Sequence, residues 1–223
     1  MKLEKITRDA SGRSRWYDDA CGTAHALELV GERWSLLIVR ELMLGPRRFG
    51  DLRASLPGIS ANVLTQRLES LETAGVLARR KLPPPASVQV YELTPWGLEA
   101  EEAISALGRW AARSPDHDPT LPLSPVSLML SFRTMFDAEK AGTASMTVGF
   151  RFGDEDFIVR IGDGVLTAAR GNSDEAEVRA EGTPSAMAAI VYGGAGPDTV
   201  AITGDVAVFE RFAGFFELPP KAS

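Results

Sequence analysis

Residues 49–94 read FGDLRASLPGISANVLTQRLESLETAGVLARRKLPPPASVQVYELT, and the placement of leucine, glycine and proline along them decides the fold. Over residues 50–56 a short helix carries Leu52 and Leu56 at i and i+4, and Pro57-Gly58 then breaks it. Ser60 is placed as N-cap of a second helix, spanning 60–74, in which Ala61, Leu64, Leu68 and Leu71 recur every three to four positions as one stripe for burial. Gly75 ends it. At about 100° per residue the opposite face carries Asn62, Val63, Gln66 and Ser70, with Arg67 on its flank. Asparagine and glutamine form bidentate hydrogen bonds with adenine, and a small apolar group such as Val63 meets a thymine methyl, so this face suits the major groove of double-stranded DNA.

Residues 76–82 and 88–94, rich in Val, Leu and Tyr, read as two β-strands joined by Pro83-Pro84-Pro85-Ala86-Ser87. A helix-turn-helix followed by a hairpin is a winged helix. Arg79, Arg80 and Lys81 stand in succession on the first strand, so at least one must face outward, where it can lie along a phosphate backbone. Upstream, residues 20–30 predict a helix with Ala24, Leu27 and Val30 on one side, and residues 34–44 a central apolar helix with Trp34 as a core anchor. Downstream, Thr94 caps and Pro95 opens a helix running to about residue 113. Its stripe of Trp96, Ala100, Ala103, Leu107, Trp110 and Ala111 exceeds what a winged helix has left to cover. The expectation is a homodimer, with Leu27, Trp96, Leu107 and Trp110 in the seam and an inverted repeat as the operator.

The run CGTAHALELVGERWSLLIVRELMLGPRRFGDLRASLPGISANVLTQRLESLETAGVLARR, followed by YELTPWG, resembles the HxlR-type winged-helix transcriptional regulators over about half the chain. The shared elements are the early cysteine, Gly31-Glu32-Arg33-Trp34, Gly45-Pro46-Arg47-Arg48-Phe49, Leu56-Pro57-Gly58-Ile59-Ser60, Leu64-Thr65-Gln66-Arg67-Leu68, Leu71-Glu72 and Gly75. The resemblance implies a homodimeric DNA-binding transcription factor, with Ser60, Asn62, Val63, Gln66, Arg67, Arg79, Arg80 and Lys81 toward the DNA. The chain departs from the family at the wing tip, where two prolines and a basic residue are frequent but Pro83-Pro84-Pro85 is followed by Ala86-Ser87. The resemblance also implies a sensing role for Cys21, since some relatives use a cysteine there against electrophiles or oxidants. Read by itself, Cys21 is a small apolar residue whose helix N-terminal position lowers its pKa while Asp18 and Asp19 act the other way. As the single cysteine, it could form a sensing disulfide only with another subunit or a small thiol.

The 223 residues suffice for two domains with a core each. The net charge of −6 would be unusual for a DNA binder if it were spread evenly, but it is not. Residues 1–114 hold 16 Lys and Arg against 14 Asp and Glu, residues 115–223 hold 8 against 16, and residues 33–81 alone hold 9 against 4. Positive potential thus gathers on the proposed reading unit. Without an apolar run of about 18 residues or a secretory signal, the reading is a cytoplasmic protein that does not engage a membrane. The start, MKLEKITRDASGRSRWYDD, has no apolar core and is expected to pack loosely.

The proline-rich stretch 115–125 predicts a linker between a DNA-binding and dimerisation domain, 1–114, and a second domain, 126–223. His117 lies in the linker without a ligand cluster, so neither a metal nor another cofactor is expected. The second domain reads as a helix at 126–136, then strands around Phe150, Phe157 and Val165, a short strand at Val178, a helix through Met187 and Val191, a strand near Val200, and a last helix VAVFERFAGFF. The predicted class is α+β, a winged helix plus a C-terminal domain with an antiparallel sheet. In ARGNSDEAEVRAEGTPSAMAAIVYGG and AITGDVAVFERFAGFF this half resembles the sterol carrier protein type 2-like fold, which implies an apolar cavity between sheet and helices. Phe209, Phe212 and Phe216 recur on one helix face. The expectation is that they stand partly uncovered, opposite Phe150, Phe157 and Val159, around a pocket of at least ~300 Å³ for a small apolar ligand. No catalytic constellation appears, so an enzyme is not expected. The leading function is a ligand- or stress-responsive repressor; the alternatives are a hydrophobic-ligand carrier with a helical appendage and a thiol sensor acting through Cys21.

Overall fold

The computed structural model describes residues 17–222, together with the backbone of two short antiparallel strands, β1 (Thr7–Arg8) and β2 (Ser14–Arg15). The expectation of a loosely packed start falls largely on residues outside the described ones. By packing, the chain divides into a unit that ends at Glu99 and a unit that begins at Ala100.

The first unit holds α1 (Gly22–Val30), α2 (Ser35–Leu42), α3 (Phe49–Ser55), α4 (Ala61–Thr73), the hairpin β3 (Leu77–Lys81) and β4 (Gln89–Leu93), and the short α5 (Pro95–Leu98). Central α2 touches α3, α4 and β4 and buries Ile38 and Val39 completely. The Ser60 hydroxyl caps α4 by accepting from the Val63 N–H at 3.3 Å. Leu64, Leu68 and Leu71 are at most 1 % exposed, each stabilising the unit by roughly 1.5–3 kcal/mol. The hairpin pairs Leu77 with Leu93 through Lys81 with Gln89. A backbone bridge between Arg47 and Tyr91, with N–O distances of 2.9 and 2.8 Å, fastens the hairpin to the entry of α3. Gly97 makes the turn out of the hairpin possible, because a Cβ there would stand 2.0 Å from the Val76 carbonyl oxygen.

The helix expected from Pro95 to about residue 113 is two helices. Thr94 caps as anticipated, accepting from the Gly97 N–H at 3.0 Å. The Glu99 N–H then bonds back to the Trp96 carbonyl at 3.2 Å, three residues away, and this tightened turn interrupts the α-helical register. The continuation, α6 (Ala100–Ala112), packs in the second unit. Arg133 on the next helix grips Glu101 at 2.6 Å, the Thr134 hydroxyl donates to Ser105 at 3.2 Å, and Arg109 donates to the Thr134 carbonyl. Residues 115–124 contain no helix or strand.

The rest of the second unit comprises α7 (Pro125–Met135), α8 (Ala138–Ala141), the strands β5 (Met146–Phe152), β6 (Glu155–Gly162), β7 (Val165–Arg170) and β8 (Val178–Glu181), then α9 (Pro184–Gly193), β9 (Ala201–Gly204) and α10 (Val206–Ala213). Its sheet has the order β7-β6-β5-β8-β9 and is mixed, not antiparallel throughout as expected, because β8 runs parallel to β5 with Val148 beside Val178. The return chain crosses the outer face before entering β8. There Ser173 lies so close that a Cβ at Gly149 would be 2.4 Å from its carbonyl oxygen.

The inner face, with Val148, Phe150, Phe157, Val159, Ala168, Val178 and Ala180 all at 0 % exposure, is covered by α7 and α10, and α9 packs against both helices. Here the structure corrects the expectation of half-covered rings. Phe209 and Phe212 are fully buried and Phe216 is 5 % exposed. The ring of Phe132, from α7, stands 5.4 Å from Phe150, 5.4 Å from Phe212 and 5.0 Å from Phe216. The helix at 125–135 thus supplies the aromatic partner that the last helix needs, and the surplus of phenylalanine is absorbed in ring-to-ring contact. Phe132→Ala is expected to destabilise this unit by about 3–5 kcal/mol, read from its urea transition by near-UV circular dichroism. A loss below ~1 kcal/mol would mean that the ring borders a void already.

Candidate nucleic-acid interface

Because the leucine stripe fixes the rotation of α4, the opposite face is fixed too. Asn62 and Gln66 are exposed there and Val63 is half-buried. Thr65 and Glu69, which the sequence reading passed over, share that exposed surface; their spacing from Asn62 and Gln66 was the available signal. Ser60 is used as the cap, and the Ser70 hydroxyl folds back onto the Gln66 carbonyl at 2.9 Å.

Arg67 departs from expectation. Its guanidinium turns away from the reading face, donating to Glu32 at 2.7 Å and to the Arg33 carbonyl at 3.2 Å, so it ties α4 to the connection between α1 and α2. In the wing, Arg79 pairs with Glu72 at 3.0 Å and lies over the Tyr91 ring, while Arg80 pairs with Glu92 at 2.7 Å. Exposed pairs of this kind contribute at most about 1 kcal/mol, and a phosphate can displace such a partner. Lys81 makes no ion pair among the described residues and is exposed at the end of β3. Arg48, the N-cap residue of α3, and Arg53 within it are exposed as well. Neither stood out in the sequence, since a cation on a short helix has no distinguishing pattern. The wing tip, residues 83–87, is exposed and carries no cation.

A model of the HxlR-like helix-turn-helix family matches residues 29–118. The HTH-type transcriptional regulator YtfH of Escherichia coli is 36% identical over 94 residues, which are 42% of this chain and 75% of that protein. This chain belongs to the HxlR-like family. Another relative, the HTH-type regulator sll1512 of Synechocystis, is 39% identical over 87 residues, 39% of this chain and 64% of that one. Among solved structures, the reduced form of the transcriptional regulator YodB from Bacillus subtilis aligns at 31% identity over 45% of this chain and all of that chain, with a TM-score of 0.40. For the second half, expected to resemble the sterol carrier protein type 2-like fold, the matching family model is that of the alkyl sulfatase C-terminal domain, over residues 116–222. The sec-alkylsulfatase Pisa1 from Pseudomonas aligns at 25% identity over 43% of this chain and 16% of that one, with a TM-score of 0.39.

Around the HxlR-like module, α1 buries none of its residues and leaves Leu27 50 % exposed; Trp96 on α5 is similarly open. Within the other unit, α6 buries only Ala112, with Leu107 half exposed and Trp110 72 % exposed. Among the described residues no group of three or more His, Cys, Asp or Glu could hold a metal ion, and no helix is long and apolar enough to cross a membrane.

Cys21 is exposed at the N-cap of α1. The backbone N–H groups of Thr23 and Ala24 lower its pKa, and Asp19 is engaged with the Cys21 backbone N–H at 2.9 Å. A lowered pKa populates the thiolate at lower pH, so iodoacetamide should alkylate Cys21 with a pH midpoint below the ordinary ~8.5 of a free cysteine. A midpoint at or above that value would deprive the thiol of any special reactivity.

Proposed function

We propose that the protein is a homodimeric transcription regulator, acting as a repressor, that reads an inverted-repeat operator in double-stranded DNA. The observation that carries this reading is the exposed pair Asn62 and Gln66 on a helix whose rotation is locked by Leu64, Leu68 and Leu71. Arg79, Arg80 and Lys81 hold the adjoining phosphates. Residues 1–114 serve DNA binding and dimerisation, 115–125 link, and 126–223 form a non-catalytic regulatory domain. Gln66→Ala is expected to cost about 1–3 kcal/mol on the cognate operator and to relax preference at one base pair, whereas Arg80→Ala should weaken all sequences alike and lower the salt slope. Titrations by fluorescence anisotropy over a salt series check both. Unchanged specific affinity in Gln66→Ala would displace α4 from the groove.

The occupant proposed for the open faces of α1 and α6 is a second copy of the chain. Nine largely apolar residues of α1 with none buried, and a tryptophan almost three-quarters exposed on α6, are surface that an isolated subunit leaves in water at a cost. Two copies would set their recognition helices about 34 Å apart on successive major-groove faces. Trp110→Glu should therefore yield a monomer at micromolar concentration with weakened operator binding, as measured by sedimentation velocity; an intact dimer would remove Trp110 from the seam.

Thiol sensing through Cys21 is the second reading, supported by its exposure and lowered pKa. The sterol-carrier-like reading of the second half implies an apolar effector among Phe150, Phe157, Val159, Phe209, Phe212 and Phe216. Such a ligand would have to part Phe132 from Phe150, 5.4 Å ring to ring, before entering, and this favours a regulator over a carrier.

A further inference from the structure

A half-open cavity of about 500 Å³ in the first unit is bordered by α1, the α1–α2 connection and the flank of α4 that carries Arg67 and Ser70. Its volume suits a small organic molecule. Leu27, Leu29 and Tyr17 give it an apolar side, and Arg33, Ser35 and Arg67 stand on the polar side. The hydrogen-bonding inventory of that polar side is lopsided. The carboxylates that line it are already used: Glu32 accepts from Arg67 at 2.7 Å, and Glu28 accepts from the Tyr17 N–H at 3.2 Å and contacts His25 Nδ1 at 3.2 Å.

Donors are left over. Ser35 is only 2 % exposed, and its hydroxyl has no hydrogen-bond partner among the described residues. It opens α2, whose N-cap residue, Trp34, supplies no side-chain cap, and the Ser35 N–H donates to the Glu32 carbonyl at 3.0 Å. The Arg33 guanidinium lies 5.2 Å from the centre of the Trp34 ring and makes no ion pair among the described residues. A hydroxyl on a residue 2 % exposed and a cation without a carboxylate call for a ligand that brings acceptor oxygens.

We propose that this cavity is an effector site for a small amphipathic carboxylic acid, its carboxylate held by Arg33 and Ser35 and its apolar body laid against Leu29 and Tyr17. The site has a direct route to function, a consequence that rests on the regulator reading above. Arg67 is the strut from α4 to Glu32, and the same helix carries Asn62 and Gln66, both exposed. A carboxylate bound beside Arg67 competes with Glu32 for its guanidinium and releases α4 from the α1–α2 connection. Binding then favours an arrangement of α4 different from the one that reads DNA.

The test uses the full chain, with octanoate and phenylacetate as probes and octanamide and phenylacetamide as uncharged counterparts. Isothermal titration at pH 7.5 should give saturable binding of one carboxylate per chain, at least tenfold tighter than the matching amide. Arg33→Gln and Ser35→Ala should each weaken binding at least fivefold, and Arg33→Gln, an exposed position, should keep the melting temperature of the parent. In anisotropy titrations with operator DNA, the carboxylate should lower affinity in the parent and leave Arg33→Gln unaffected. Equal binding of acid and amide, binding unchanged by both substitutions, or no saturation at millimolar probe would each overturn the site. Carboxylate binding without any change in DNA affinity would overturn the coupling through Arg67. A protein that binds no DNA at all would sink the regulator reading while the titrations still decide the cavity.

Discussion

The burial of one leucine stripe is the constraint from which the reading unit follows. Leu64, Leu68 and Leu71 must leave water, and α2 offers the apolar surface that receives them. Once they are seated, α4 has no rotational freedom, and the side chains about 180° away are committed to solvent. The Ser60 cap sets where the helix begins, so Asn62 and Gln66 fall in its first turns, the part of a recognition helix that reaches base edges. The same constraint orders the wing. Val76 follows α4 directly, its carbonyl approaches Gly97, and the Arg47–Tyr91 bridge holds the hairpin to the entry of α3. A single packing decision therefore places both the exposed face of α4 and the basic strand β3.

Charge is distributed more economically than a count of cations suggests. Of the four arginines and lysines of α4 and β3, three hold a carboxylate: Arg67 on Glu32, Arg79 on Glu72 and Arg80 on Glu92. The two wing pairs are partly in water, whereas Arg67 is four-fifths covered and also donates to a backbone carbonyl. Its role is mechanical. It holds α4 in place, and the cavity beside it stands where a small molecule can act on that hold.

The second unit resolves its own surplus differently. Ten phenylalanines in the chain, most of them beyond residue 125, suggested an aromatic-lined cavity, but the rings satisfy one another. Phe132 enters from α7, Phe150 from the sheet, and Phe209, Phe212 and Phe216 from the C-terminal segment, with centroids 4.8 to 6.5 Å apart. The unsatisfied apolar surface lies elsewhere, on α6, whose polar side is clamped to α7 by Glu101 and Arg109 while Leu107 and Trp110 face outward.

Local chemistry alone determined the caps at Ser60 and Thr94, the stop at Gly75, the leucine stripe and the order of helices and strands. Each depends on residues within one or two turns of one another, and periodicity carries that information. The tertiary structure decided what depends on partners distant in sequence. Arg67 could be placed on a flank by helical arithmetic, but Glu32, 35 residues away, decides where its guanidinium goes. The parallel pairing of β8 with β5 depends on a return path across the sheet, and the closure of the phenylalanine cluster depends on Phe132, which lies 77 residues from Phe209. Likewise, Gly97 reads as an ordinary helix residue until the Val76 carbonyl comes within 2.0 Å of its missing Cβ. Periodicity names the face a residue stands on, and only the packed chain names what meets it there.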